Sequence, residues 1–252
     1  MSRSPRNTLL PAALALTLAP ASAFAEVIPG IDIYGKAGQW GASPSGTISS
    51  GDDDIDVEDE LNFDRNDTTL LELGFEHPVP LIPNLRLRHV DLSDSANGHI
   101  SHEFNGVVFD EDVHSTYDLK MTDATFYYSP LDNWVSLDLG ITARHLDAAV
   151  EIDSRATSTK RADGSVELTI PMGYAAVRFD APMTGLYASG EIQAISYDDH
   201  KMQDVRAVVG WQPVDLLSIE AGYQQLSLEF DDDDLAGDLE FDGPFVAASL
   251  RF

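Results

Sequence analysis

The chain has 252 residues, with 43 acidic and 15 basic side chains, a net charge of −28 and no cysteine. A negative charge of this size argues against nucleic acid as a partner, because the phosphate backbone would repel it. The absence of cysteine excludes disulfide stabilisation, and no segment approaches the roughly 20 consecutive apolar residues that a transmembrane helix needs.

Residues 1–25 have the features of an export signal. Arg3 and Arg6 form a basic start, residues 9–18 are mostly apolar and are interrupted by Pro11, and Ala23-Phe24-Ala25 fits a small-x-small cleavage site. This combination is typical of a secretory signal peptide. We therefore predict a signal peptide over residues 1–25 and one domain over 26–252.

Alternation of apolar and polar residues dominates the rest of the chain. In "WVSLDLGITAR", residues 134–144, apolar side chains from Val135 to Ala143 alternate with Ser136, Asp138 and Arg144. A period of two predicts β-strands with one apolar face. Lapses in the alternation near Met121–Thr125 and Gln224–Leu226 are interpreted as bulges or as strand ends that lie beyond the lipid. The ten predicted strands cover residues 31–40, 67–77, 84–93, 115–129, 134–150, 166–180, 185–197, 202–212, 216–230 and 239–252.

The connections between these strands alternate between two kinds. Four are short and mostly contain proline: 77–84, 129–133, 180–185 and 212–216. Five are longer or strongly acidic: 41–66, 94–114, 151–165, 198–201 and 231–238. This alternation predicts an all-β, ten-stranded antiparallel up-and-down transmembrane β-barrel with short periplasmic turns and acidic extracellular loops. A soluble exported β-sandwich would explain the period of two but not the sorting of the connections.

Two further features favour the barrel. The aromatic residues gather near the predicted strand ends, as in the interfacial girdles of membrane barrels; Tyr128, Trp134, Phe179, Tyr187, Trp211 and Phe252 lie near the short turns, and Trp40, Tyr117, Tyr197 and Tyr223 near the loops. The chain also ends in "GPFVAASLRF", whose Val246, Ala248, Leu250 and Phe252 would face lipid. A terminal aromatic strand resembles the signal read by the outer-membrane assembly machinery, which predicts insertion into the outer membrane of a Gram-negative bacterium.

The stretch "LELGFEHPVPLIPNLRLRH", residues 71–89, resembles a motif of a small outer-membrane β-barrel family of γ-proteobacteria. That family is named for its association with genomes that carry a GlyGly-type C-terminal sorting system. The resemblance implies the barrel fold and export, and it brings no established activity or functional residue.

If apolar faces meet lipid, the opposite faces point into the lumen. The favoured interpretation is a packed ion-pair network that plugs the lumen, because charges away from water persist only when paired; a narrow polar pore is the alternative. The predicted lumen charges are Asp32, Lys36, Glu72, Glu76, Arg86, Arg88, Asp138, Arg144, Arg178, Glu191, Arg206 and Glu220.

Two acidic runs, "GDDDIDVEDE" (51–60) and "FDDDDLAGDLEFD" (230–242), are interpreted as solvated loops that could enter neither a packed core nor lipid. Neither run fits the EF-hand calcium pattern. We expect at most loosely bound calcium or magnesium that bridges to lipopolysaccharide phosphates, and no other cofactor. The candidate carboxylates are Asp52, Asp53, Asp54, Asp231, Asp232, Asp233 and Asp234.

Enzymatic candidates are weak. Asp198 and His200, with an Asp52–Asp54 pair, have the spacing of the acidic and histidine dyads of some barrel proteases, and His145 with Asp147 and Ser196 with Asp198 are similar same-face pairs. Acidic loops produce such spacings by chance, and no activated serine motif accompanies them. The sequence predicts a non-enzymatic outer-membrane barrel with a structural or surface-interaction role. The partners that it predicts are outer-membrane lipid, lipopolysaccharide and the assembly machinery; the alternatives are a narrow channel for small solutes and, more remotely, a surface hydrolase.

Overall fold

The computed structural model describes residues 30–252 except 51–52, 102, 105–106, 157–159, 199 and 233–234, so the predicted signal peptide lies outside the described residues. The described chain is built from strands, and no helix in it is long and apolar enough to cross a membrane. The thirteen strands are β1 (Asp32–Ser50), β2 (Asp53–Asp56), β3 (Asn66–Glu76), β4 (Asn84–Ile100), β5 (Glu103–Phe104), β6 (Val107–Val108), β7 (Glu111–Asp132), β8 (Val135–Ser154), β9 (Arg161–Asp180), β10 (Leu186–Tyr197), β11 (His200–Val214), β12 (Leu217–Asp232) and β13 (Leu235–Arg251).

Ten of these strands form a closed antiparallel barrel. The hydrogen-bonded order is β1, β3, β4, β7, β8, β9, β10, β11, β12 and β13, and β13 pairs back with β1. Phe252 completes the closure, because its N–H donates to the Ile33 carbonyl at 2.8 Å and its carbonyl accepts from the Ile33 N–H at 3.0 Å. The predicted ten-stranded barrel is confirmed. The remaining strands are additions at the long-loop end, where β2 extends the sheet beside β1 and β5 pairs with β6.

The half of the barrel next to the short turns, here the membrane tier, has an apolar exterior. Leu73, Ile141, Val209 and Val246 are each at least 60% exposed on its outer face, while charged and polar residues alternate with them on the inner face. An outward apolar band around a polar interior is the arrangement of a membrane-spanning β-barrel. The exterior of the membrane tier therefore faces lipid.

The other half, here the distal tier, has the opposite polarity. Its interior is a packed apolar cluster that includes Trp40 (0% exposed), Leu92, Met121 and Leu226. Its exterior carries polar residues on the same strands. This tier is thus organised like a water-soluble barrel, with its apolar side chains inside.

A second apolar cluster, here the cap, closes the end of the distal tier. Residues 55–63 turn inward, so that Ile55, Val57, Leu61 and Phe63 are 1–4% exposed. They pack with Ile100, Phe109, Val113, Ile152 and Ala162 from the strand ends. The prediction that the acidic run 51–60 is wholly a solvated loop was wrong, because its apolar residues alternate with the carboxylates and enter a core.

Several strands extend further than predicted, mostly into the acidic connections, although β7 and β11 also extend to Asp132 and Val214 in the short ones. β1 continues to Ser50, β4 to Ile100, and β7 begins at Glu111 rather than near 115. The lapses at Met121–Thr125 and Gln224–Leu226 are not bulges, since both strands keep a continuous register there. The inner face changes from polar to apolar at these positions, and this reversal breaks the hydrophobic alternation without breaking the strand. Shifts of register occur instead near the short turns, between Tyr128 and Leu131 and between Trp211 and Val214.

Three of the ten aromatic residues predicted for the girdles do not face lipid. Trp40 is fully buried inside the distal tier, Tyr117 packs against the inner clusters, and Tyr187 is 4% exposed inside the membrane tier. Trp134, Phe179 and Trp211 are at least half exposed near the short turns, as predicted. The clustering of aromatics at strand ends therefore mixes an exterior girdle with interior packing.

Candidate functional site

The candidate site is the charged interior of the membrane tier. Arg86 and Arg88 face inward because they alternate with the outward-facing Leu85 and Leu87 of β4. The same period of two on the other strands turns Glu72, Arg144, Arg206 and Glu220 inward, where each is less than 9% exposed. Closure of the barrel then brings charges from distant parts of the chain within ion-pair distance.

The deepest part of the interior is a square of two arginines and two aspartates. Arg144 Nε lies 2.7 Å from Asp123 Oδ1, and Arg144 Nη2 lies 2.7 Å from Asp204 Oδ2. Arg88 Nη2 lies 2.9 Å from Asp123 Oδ2 and also contacts Asp204. All four side chains are at most 2% exposed. Gln193 and Gln224 add hydrogen bonds to Arg144 and Asp204 at this level.

A second group of ion pairs lies on the short-turn side of the square. Arg86 donates two hydrogen bonds to Glu191, at 2.7 and 2.8 Å. Arg206 Nη1 lies 3.3 Å from Glu72 Oε2, and Lys36 Nζ lies 2.9 Å from Glu220 Oε2. Arg88 Nη1, 3.8 Å from Glu191 Oε1, joins this group to the square.

The two groups together form one continuous network, here the charge layer, with five cations and five anions. The formal charges balance, and each ion lies within 4.0 Å of at least one ion of opposite charge, which is the condition for keeping charges away from water. The members are Lys36, Arg86, Arg88, Arg144, Arg206, Glu72, Asp123, Glu191, Asp204 and Glu220.

The other four predicted lumen residues lie nearer the short-turn end. Glu76 accepts from the Tyr127 hydroxyl at 2.8 Å and pairs with Arg251 at 3.1 Å. Asp138 accepts from Ser129 at 2.6 Å. Arg178 pairs with Asp180 at 2.7 Å and stacks over the Tyr187 ring, 3.5 Å from its centroid. Asp32 lines the same space without a resolved ion pair to the charge layer. The structure thus brings eight of the twelve predicted charges into the charge layer and places four outside it.

These four residues line a cavity of about 840 Å³ that opens at the short-turn end. Its floor is the charge layer, and five tyrosines (Tyr34, Tyr127, Tyr128, Tyr174 and Tyr187) contribute to its walls. Its lining has nine carboxylates, five lysine or arginine side chains and one histidine. The cavity, here the vestibule, is therefore acidic, and it enters only the membrane tier, because the charge layer and the distal core lie beyond it.

Sequence reasoning missed Asp123, Asp204, Gln193 and Gln224. Asp204 and Gln193 had a usable signal, since each lies two residues from a predicted lumen charge, Arg206 and Glu191, and so shares its face. Asp123 and Gln224 lie in the stretches interpreted as bulges or strand ends. Because the polarity of the inner face reverses at the tier boundary, the alternation did not identify either residue as inward-facing.

The predicted lipid-facing side chains of the C-terminal strand point to the exterior of the barrel. Val246 and Ala248 are exposed, Leu250 is half-buried and Phe252 is 46% exposed. Arg251 points the other way and pairs with Glu76. Beyond its side chain, Phe252 contributes two backbone hydrogen bonds to the seam with β1.

We predict that deleting Phe252 lowers the amount of inserted barrel more than it lowers the stability of barrels that have formed. The seam loses two hydrogen bonds of about 1 kcal/mol each, out of a ladder that pairs β13 with β1 along much of its length. Outer-membrane levels by fractionation and urea unfolding of the purified barrel measure the two effects. A Phe252→Tyr variant, which keeps the terminal aromatic, is the control. Normal levels of the deletion variant would contradict the prediction.

Of the predicted cation ligands, Asp54 is the one whose side chain is described. Asp52, Asp233 and Asp234 lie outside the described residues, and the side chains of Asp53, Asp231 and Asp232 are likewise not described. Asp54 is exposed and accepts a hydrogen bond from Ser49. Within the described part of the chain, no group of three His, Asp or Glu residues is arranged to hold a metal ion.

The enzymatic candidates lie outside the lumen. His145 faces outward on β8, where its Nδ1 lies 3.3 Å from Thr169 Oγ1 and its Nε2 lies 3.7 Å from Glu167. Asp198 occupies the turn between β10 and β11 with φ of 54°, and His200 begins β11. Ser196 is exposed on the outer face of β10. Each of these four side chains, all in the described part of the chain, is exposed.

Comparison with known proteins supports no family assignment. No family model matches the chain, and no curated protein matches it. Among solved structures, Ail, the attachment invasion locus protein of Yersinia pestis, matches with a TM-score of 0.37 and 10% identity, over 89% of this chain and 100% of that one. The transport unit of the autotransporter AIDA-I from Escherichia coli matches with 0.38 and 9%, over 94% and 93%. Neisserial surface protein A matches with 0.32 and 8%, over 87% and 97%. Since these similarities are low, the fold assignment rests on the closed ladder and the apolar exterior.

Proposed function

We propose that this protein is a Gram-negative outer-membrane β-barrel with a closed lumen, and that its role is structural or lies in surface interactions. The short turns then face the periplasm and the distal tier projects from the cell. Lipid and lipopolysaccharide surround the membrane tier in this arrangement. The exposed distal tier, rather than the lumen, then contacts other molecules.

One observation supports this proposal above the others: three successive layers obstruct the path through the barrel. The charge layer comes first, with the square of Arg88, Arg144, Asp123 and Asp204 at most 2% exposed. The distal core follows, in which Trp40 and Leu226 are fully buried. The cap comes last. A ten-stranded barrel has little more internal space than an eight-stranded one, whose side chains fill it.

A narrow channel for small solutes is the second candidate, and the vestibule favours it. A cavity of about 840 Å³ leads from the short-turn end to the charge layer. Conduction would require both the ion pairs and the apolar residues beyond them to move aside.

Single-channel recording in planar lipid bilayers separates the two candidates. We expect no unitary conductance steps from the purified protein over a wide range of voltage, because the distal core offers an ion no polar path. An established porin reconstituted in the same way is the positive control. Reproducible steps that depend on the protein would overturn the closed-lumen proposal and favour the channel.

Gel mobility tests the membrane assignment separately. A closed membrane barrel is expected to resist SDS until it is heated, so boiled and unboiled samples should migrate differently. Equal migration of the two samples would favour a water-soluble β-protein instead.

A further inference from the structure

Strand β9 pairs with its two neighbours in the barrel over different lengths. On one side, β9 pairs with β8 as far as Arg161. On the other, its ladder with β10 ends where Gly173 meets Ala194. Residues Gly164–Met172, here the β9 edge, therefore have no ladder partner on the β10 side among the described strands. Alternate residues of this nine-residue stretch therefore direct their backbone N–H and C=O groups toward an edge of the distal tier.

The neighbouring hairpin explains this edge. β10 ends at Tyr197, and the chain turns at Asp198, which has a left-handed φ of 54°, to enter β11 at His200. Pro171 lies near the point where the ladder stops, and proline has no N–H to donate to a neighbouring strand. The β10–β11 hairpin is thus shorter than the β8–β9 hairpin, and the wall is lower where they meet.

The inner face of the β9 edge is apolar and incompletely covered. Val166 is 45% exposed and Leu168 is 37% exposed, although their cross-strand partners Ala148 and Leu146 pack in the distal core. The equivalent inward positions on β4, Val90 and Leu92, are each 1% exposed. The missing neighbour strand is the reason for this difference.

The outer face next to the edge is acidic. Asp147, Glu151, Asp153, Asp163 and Glu167 face outward on β8 and β9, where Arg161 is the lysine or arginine among the outward-facing strand residues; Arg155 and Lys160 lie in the loop that joins the two strands. Natural sheet edges are commonly protected by lysine or proline. The β9 edge has no lysine, and its proline lies near one end. Most of the edge is therefore open to strand addition.

We propose that the β9 edge binds an extended segment of a partner protein, in which apolar residues alternate with lysine or arginine. The backbone of the segment extends the sheet, its apolar side chains cover Val166 and Leu168, and its basic side chains face the outward carboxylates. Strand addition of this kind takes its affinity from main-chain hydrogen bonds and its specificity from alternate side chains. The inference rests on the proposed surface role and specifies the partner for it.

A second copy of this chain is a poorer occupant. Pairing of two β9 edges would bring Glu167 and its acidic neighbours on one copy close to the same residues on the other, and like charges across a sheet destabilise it. A basic segment replaces this repulsion with attraction.

The test uses the purified full barrel in detergent micelles and a fluorescent nine-residue peptide of alternating valine and lysine. A peptide of the same composition, with its valines and lysines in separate blocks, is the control for charge alone. We expect saturable binding of the alternating peptide by fluorescence anisotropy. In Val166→Ser/Leu168→Ser, binding should weaken by about tenfold or more, because the apolar contact is lost. Val108→Ser, on the exposed β5–β6 hairpin, should bind like the natural protein.

Disulfide trapping then tests the strand geometry. The chain has no cysteine, so Ser165→Cys, on the outer face of the edge, introduces one thiol. Peptides with one cysteine in place of a lysine should cross-link to it, and those with cysteine in place of a valine should not, since the two sets point to opposite faces.

Equal affinity for the two peptides, unchanged binding by Val166→Ser/Leu168→Ser, or cross-linking without this alternation would each overturn the inference. A concentration-dependent dimer that the double variant abolishes would identify a second copy as the occupant and overturn the choice of partner. A non-conducting barrel that binds neither peptide would leave the proposed function standing while this inference fails.

Discussion

Replacing Arg144 by alanine is expected to lower the free energy of unfolding by about 3–5 kcal/mol, because it removes one of the two cations that two buried carboxylates share. Arg144 is fully buried and contacts both Asp123 and Asp204. Arg88 then remains as one cation between two anions. Urea unfolding in detergent micelles, followed by tryptophan fluorescence, measures the effect.

Two further variants separate charge balance from loss of side-chain volume. Arg161→Ala removes an exposed arginine that lies 2.6 Å from Glu151, and its cost should be under about 1 kcal/mol. Arg144→Met combined with Asp123→Leu restores one cation to one anion and should recover much of the lost stability. If Arg144→Ala cost no more than Arg161→Ala, the charge layer would not be a desolvated network.

Replacing Trp40 by alanine is expected to cost a similar amount, about 3–5 kcal/mol, through a different mechanism. Trp40 is fully buried in the distal core, and its Nε1 has no hydrogen-bond partner among the described residues. Its contribution is therefore packing, and its removal leaves a cavity. Urea unfolding followed by far-ultraviolet circular dichroism measures the loss, because the substitution also changes the fluorescence.

Trp134→Ala is the matched control, since Trp134 is 67% exposed near a short turn. We expect it to cost less than half as much, whereas Trp40→Phe should retain most of the stability because it refills part of the space. Equal losses for the two alanine variants would mean that the distal interior is not packed as a core.

The membrane tier could be predicted from sequence in detail. Its strands have apolar residues on the lipid side and charges on the other, so the face of Arg86, Arg206 or Glu220 follows directly from the alternation. The pairing of these charges could not be predicted, because it depends on closure and on register. Arg206 meets Glu72, 134 positions away, and no local pattern encodes that distance.

The distal tier shows where such reasoning fails. Its strands reverse the polarity of the two faces, so a rule that assigns apolar residues to lipid misplaces Trp40 outside and interprets the reversal at Met121 as a bulge. The acidic residues around Ile55 and Val57 lower the average hydropathy of that segment and conceal the alternate apolar residues that build the cap.

By itself, the sequence determined the number of barrel strands, their up-and-down order and the inner and outer faces of the membrane tier. These follow from local alternation and from the two kinds of connection, both of which are properties of neighbouring residues. The tertiary structure alone decided that the charges balance in one layer, that an apolar core and cap close the distal end, and that β9 has an unmatched edge. Each of these depends on which residues closure brings together across the barrel and on how far adjacent hairpins extend, and neither quantity is local in the chain.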